Sequence, residues 1–324
     1  MVVPADYTAI VTAGFGSFTG AVEFDPAQAT LTGPHATFAF SAVATASALT
    51  AEQVRALGLR DPQAEPGMRP TDGYEFLVLR TADSGGQWAG QASPPRTAVT
   101  IRSGDRSWPL TGIVSAGHTV VLSVPKAAPT TLVLEDEGRA QTLDLRTGRR
   151  GADAIGLYYP TRTADVDGDL GCWAQVSGVT VPSAMQGNLV SLTGSTRRAG
   201  LYPFYGKHGW ARPGRAWLEV GLSPGSTLGD VVLTVNAAAS FTLTVPGGKP
   251  VAPLAGTGDF KLTNTIGTSP DPVALVFDVP DTFRSGTITF APRGTVNVVV
   301  NGQDKTGTLR PSTSAKPFTI RLPG

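Results

Sequence analysis

The sequence predicts an all-β chain built of two similar β-sandwich domains, and three observations carry that expectation. Short alternating runs of β-branched and aromatic residues recur along the chain: "YEFLVLRT" (74–81), "TVVLSV" (119–124), "DVVLTVN" (230–236), "SFTLTV" (240–245) and "TVNVVV" (295–300). Roughly eight such runs precede residue 150 and roughly ten follow it, a density typical of sandwiches. Between them lie 39 Gly and 26 Pro, the residues that punctuate strands with turns. Finally, one strand pair occurs twice, as "VVLSVPKAAPTTLVLEDEG" (120–138) and "LVFDVPDTFRSGTITFAPRG" (275–294).

The repeat is judged by its faces. Placing Val124-Pro125 on Val279-Pro280 sets Val120, Leu122 and Val124 on Leu275, Phe277 and Val279, with Ser123 on Asp278. One gap later, Leu132 and Leu134 fall on Ile288 and Phe290, and Gly138 on Gly294. A one-residue slip would reverse every face. Ser123 and Asp278 are therefore expected to point outward. The offset that holds after the gap, carried backward, sets "GYEFLVLRTA" (73–82) on "GDVVLTVNAA" (229–238). An internal duplication follows, with domains at 1–150 and 151–324 and a polar, Gly-rich boundary near "RTGRRGADAIG" (146–156). In "LTAEQVRALG", Thr50 and Gln53 form a capping box, Leu49 and Val54 a hydrophobic staple, and Gly58 the stop, so one short helix is expected in a connection of the first domain. Near the end, Asn301-Gly302 predicts a two-residue hairpin turn.

Composition narrows the function classes. A formal net charge of +1 gives no global field toward nucleic acid or anionic lipid, so no nucleic-acid partner is expected. No apolar run reaches the length of a membrane-spanning helix. The single cysteine, Cys172 in "GCWAQV", reads as an inert core thiol. The abrupt start "MVVPADYTAI" carries no visible export signal and reads as a trimmed chain. Only six of the 26 basic residues are lysine, a bias that GC-rich genomes produce.

Three stretches invite chemistry. In "TADVDGDLGCW", Asp165, Asp167 and Asp169 alternate like the first ligands of a calcium loop, but Leu170 and Val176 stand where that loop has Gly and Glu. Calcium and a solvated acidic turn both remain open. The segment "STRRAGLYPFYGKHGWARPGRAWLEV" (195–220) gathers Tyr202, Phe204, Tyr205, Lys207, His208, Trp210 and Arg212, with Trp217 and Arg215 following. Rings beside basic donors can anchor a protein partner or stack on sugars, or they can fold inward as a mini-core. "LEDEG" (134–138) reads as an exposed acidic turn that discourages strand pairing at an edge. His35, His118 and His208 stand apart in turn-like contexts, and no nucleophile elbow, zinc-ligand pattern or phosphate loop occurs. No catalysis and no cofactor are expected.

The strands "GHTVVLSVPKAAPTTLVLEDEGRAQTLDLRTG" and "PVALVFDVP", preceded by "YEFLVLRTADSG", resemble the telokin-like, immunoglobulin-type domains of secreted actinobacterial proteins and lipoproteins. The resemblance implies an immunoglobulin-like sandwich and export to the cell envelope, and the family has no common catalytic residues to carry over. The insertions at 49–72 and about 193–215 have no counterpart in that pattern. The expected role is binding or scaffolding through contact with a protein or envelope component. The alternatives are a glycan-binding module using the 202–217 rings and a hydrolase with a scattered acidic site.

Overall fold

The structure, a computed structural model, describes residues 1–12, 15, 18–59, 67–83, 97–111, 116–159, 162–182, 184–226, 231–263, 272–300 and 302–323. The chain is all-β and divides into two compact units, Met1–Gly156 and Leu157–Gly324.

In the first unit the strands are β1 (Thr8–Val11), β2 (Thr30–Thr32), β3 (Thr37–Ala46), β4 (Tyr74–Thr81), β5 (Thr97–Ser103), β6 (Thr119–Pro125), β7 (Thr130–Asp136) and β8 (Arg139–Asp144). One sheet runs β1-β6-β4-β3, with β2 also paired to β3; a second contains β8-β7-β5. Leu77, Leu79, Val120, Leu122 and Val124 of the first sheet share a core with Ile101, Leu132, Leu134 and Leu143 of the second, so the two pack as a sandwich. Each such side chain contributes about 1.5–3 kcal/mol by leaving water.

The first sheet is buried on its other face as well. Phe76, Val78 and Val121 pack in one core with Val54 of the helix α1 (Ala51–Ala56) and its C-cap residue Leu57. That helix carries the expected capping box: Thr50 Oγ1 accepts from Gln53 N at 3.2 Å and Gln53 Oε1 accepts from Thr50 N at 2.9 Å. The third layer explains why Ser123, expected to face out, is fully buried. A period-2 pattern identifies two faces but not which of them meets solvent.

In the second unit the strands are β9 (Cys172–Ser177), β10 (Leu189–Tyr202), β11 (Arg215–Ser226), β12 (Val231–Val235), β13 (Phe241–Thr244), β14 (Phe260–Thr263), β15 (Val273–Pro280), β16 (Ser285–Phe290), β17 (Gly294–Val300), β18 (Gln303–Pro311) and β19 (Phe318–Arg321). A long sheet runs β14-β12-β17-β18-β9-β10-β11-β15, and β13-β16-β19 forms another. One continuous core lies among them, with Phe277 of β15 and the stacked pair Phe241–Phe290 (4.4 Å between centroids) among its largest fully buried members. β17 and β18 pair across residues 301–302, with Val300 opposite Gln303 and Gly302 at φ +72°. Asn301 itself lies outside the described residues.

Two expectations need correction. A second, one-turn helix occupies Ala237–Ser240, capped by Asn236 Oδ1 on Ala239 N at 2.8 Å. The backward extension of the repeat is also misplaced. β12 pairs with β14 and β17, whereas the strand beside β15 is β11. Alternation alone lets any half-buried strand match another, and only the ladder identifies the neighbour.

Two register irregularities bear on the later argument. In the first unit Phe40 pairs with Thr81 and Ala42 with Arg80, leaving Ser41 as the extra residue of a bulge. In the second, Thr196 pairs with Leu222 and the ladder resumes with Ala199 on Val220.

Candidate functional site

The aromatic and basic segment is the connection between β10 and β11, and it folds back over the outer face of those strands. Phe204–Tyr205 and Gly209–Trp210 pair as a small hairpin around a 3-10 turn at Gly206–His208. Gly209 closes that turn at φ +68°, ψ −154°, a conformation open essentially to glycine alone.

Beneath the hairpin, antiparallel register sets the side chains in rows. Tyr202, Trp217 and Asp278 lie opposite one another on β10, β11 and β15; Gly200, Glu219 and Val276 form the next row. The Tyr202 ring lies back over Gly200, where a Cβ would stand 2.5 Å from its hydroxyl. The missing side chain brings the tyrosine toward Glu219. From the hairpin, the His208 ring sits 6.1 Å from Tyr205 and 6.0 Å from Trp217, and Phe204 meets Trp210 edge-on at 5.2 Å. Trp217 Nε1 donates to Gly209 O at 2.9 Å, tying strand to hairpin.

Charge is organised around two acids. Glu219 receives a hydrogen bond from Tyr205, and burial pushes its carboxyl above the usual range, opposed by that bond and by Arg198. The Tyr205 hydroxyl is pushed up to about 12, first by burial and then by the Glu219 charge. Tyr202 is raised as well, by burial and then Glu219, with Arg198 opposing. Asp278 is held differently: Arg215 Nε donates to Oδ1 at 2.7 Å, and Arg212 Nη2 donates to Oδ2 at 2.9 Å. The Arg212 side chain is 79% exposed and stands at the rim, where its ion pair is worth little.

Of the expected residues, Tyr202, Phe204, Tyr205, His208, Trp210 and Arg212 come together here; Phe204 is buried, and the Lys207 side chain lies outside the described residues. The rings are half-buried and interlocked, so the mini-core reading describes most of them. Sequence reasoning passed over Glu219 and Asp278. Each sits at an ordinary outward position of a strand, and only the overlying hairpin makes them unusual.

Asp165, Asp167 and Asp169 are exposed along an extended segment, while Val166 and Gly168 between them, and Leu170 after them, are buried. Residues two apart on a strand are separated by about 6.6–6.8 Å, so these carboxylates are strung out rather than turned about one centre. Asp165 lies opposite Arg198, and Asp169 Oδ1 accepts from Gly171 N at 2.7 Å. Cys172 is buried, and desolvation, with Asp169 adding to it, pushes its thiol up to about 11.

The acidic turn at 134–138 is not the exposed feature expected. Asp136 is fully buried at the end of β7 and accepts from His35 N at 2.7 Å and Thr97 Oγ1 at 3.0 Å, with His35 Nδ1 at 2.9 Å. Gly33 makes room for it, since a Cβ there would meet Asp136 Oδ2 at 2.6 Å. No protein-family model matches this chain, and no curated protein or solved structure matches it either.

Proposed function

We propose that the chain is a non-catalytic binding protein of the cell envelope, made of two immunoglobulin-like units descended from one by duplication, and that its contact surface is the hairpin-covered face of the second unit. Strand placement supports the duplication. β3, β4 and β6 lie side by side in one unit as β10, β11 and β15 do in the other. Matching β6 to β15 by the repeat and following the ladders sets Thr81 on Leu222, so the two bulges occur at one place. Bulges persist within families because each re-aims a strand. The resemblance to telokin-like domains of exported proteins supports the location.

One observation carries the functional reading. The β3–β4 and β10–β11 connections both cover the outer face of the same strand, yet with opposite chemistry. Under α1 that face presents Phe76 and Val78; the matching positions under the hairpin hold Trp217 and Glu219. A carboxylate placed where the sister unit has an apolar seal costs stability, and such costs are typically retained for function. Tyr, Trp and Arg are the residues that dominate protein–protein hot spots. The interlocked, half-buried rings favour this over a flat glycan platform. Asp278 is held by Arg215 and, at the rim, Arg212, so among the described residues one carboxylate, Glu219, is left on this face rather than an acid–base pair, which favours binding over hydrolysis.

The test is affinity capture from native envelope extract with wild type and a Tyr205→Ala, Trp210→Ala double variant, each checked for folding. Specific recovery that the variant loses is the expected result. Equal recovery by a folded variant would sink the proposal.

A further inference from the structure

We propose that His35, Asp136 and Glu137, in the first unit, form a binding site for a divalent transition metal such as zinc. His35 stands in the turn between β2 and β3; the two acids stand at the tip of the β7–β8 hairpin, about a hundred residues away. One ligand atom from each lies within 4.8 Å of the others. His35 Nδ1 is 2.9 Å from Asp136 Oδ1 and 3.6 Å from Glu137 Oε1. A tetrahedral zinc ion with bonds of 2.0–2.2 Å separates its ligands by about 3.4 Å, which these two distances straddle.

The donor chemistry fits such an ion. A single imidazole proton can serve one carboxylate at hydrogen-bond distance, and it serves Asp136; a dication would draw on both acids at once. Imidazole with carboxylates suits zinc and its neighbours better than calcium, which takes oxygen alone. The arrangement is held from behind, because Thr97 donates to Asp136 Oδ1 and His35 N–H fixes Oδ2. Outer contacts of this kind orient a ligating carboxylate. The side chains of His35 and Glu137 are 16% and 19% exposed, so an ion has an approach, and water would complete its shell. On binding, the proton leaves His35 Nδ1: a neutral ring takes one up at Nε2 by exchange with solvent, with no net change, whereas a protonated ring already carries the Nε2 proton and releases one to solvent.

The experiment is calorimetric titration of the tag-free, chelator-stripped full chain with zinc, and separately with calcium. One zinc per chain is expected, with calcium binding much weaker. Glu137→Gln removes a ligand while leaving the His35–Asp136 contact, so zinc binding should fall while the metal-free protein still folds, checked by its melting temperature. Thr97→Val should weaken zinc about tenfold or more. Absence of zinc binding, or zinc binding that Glu137→Gln leaves intact, would overturn the proposal.

Discussion

Asp136→Ala tests whether one buried carboxylate stitches the first unit together. The side chain is fully buried and takes three contacts, from His35 N, His35 Nδ1 and Thr97 Oγ1, at 2.7, 2.9 and 3.0 Å. Hydrogen bonds to a charged group are worth about 1.5–3 kcal/mol each. They share one acceptor and do not add, and removing one member of a buried, hydrogen-bonded charged set costs about 3–5 kcal/mol. For a unit of this size each kcal/mol moves the melting temperature by about 2–4 °C, so a drop of roughly 6–20 °C is expected. Scanning calorimetry of the metal-free full chain, wild type against variant, reads it. Thr97→Val removes one of these donors and should cost less, about 1.5–3 kcal/mol. A shift under about 2 °C for Asp136→Ala would refute the reasoning, since part-buried donors that lose a fully buried charged acceptor cannot be orphaned that cheaply.

Three further outcomes follow from the same physics. Glu219 holds its proton to a higher pH in the fold than in the unfolded chain, so the fold loses stability as pH rises from the usual carboxylate range through the raised value. Glu219→Gln should therefore be the more stable protein near neutrality and should converge on wild type as pH falls below that range, read by melting temperature against pH. Cys172, buried and pushed up to about 11, should resist a thiol reagent at pH 8 in the native protein and react once unfolded. Thr50→Ala should cost about 1 kcal/mol by removing the α1 cap, measured by denaturant titration.

Much of the fold was legible because its signals are local. The α1 capping box needs only Thr50 and Gln53, and the alternation of "TVVLSV" and "PVALVFDVP" marks strands wherever they pair. What failed was non-local. The Val231–Val235 strand matches "YEFLVLRT" in pattern, but the strand that pairs with Val273–Pro280 is Arg215–Ser226. Ser123 looked outward until a third layer covered it, and Asp136 looked exposed until His35, distant in sequence, closed over it. At the candidate site the rings announced themselves by density, whereas Glu219 did not. One glutamate in a strand is ordinary, and its burial depends on a hairpin folding back from the preceding connection.

The central claim is that the covered face of the second unit makes the contact and the corresponding face of the first does not. A photo-crosslinking residue placed at Arg212, on the rim of the hairpin, and separately at Glu52, on the exposed side of α1, compares them directly in native cells. The account predicts a discrete adduct from position 212, lost when Tyr205 and Trp210 are also replaced by alanine, and none from position 52. No adduct at 212, or the same adduct from both positions, would contradict it.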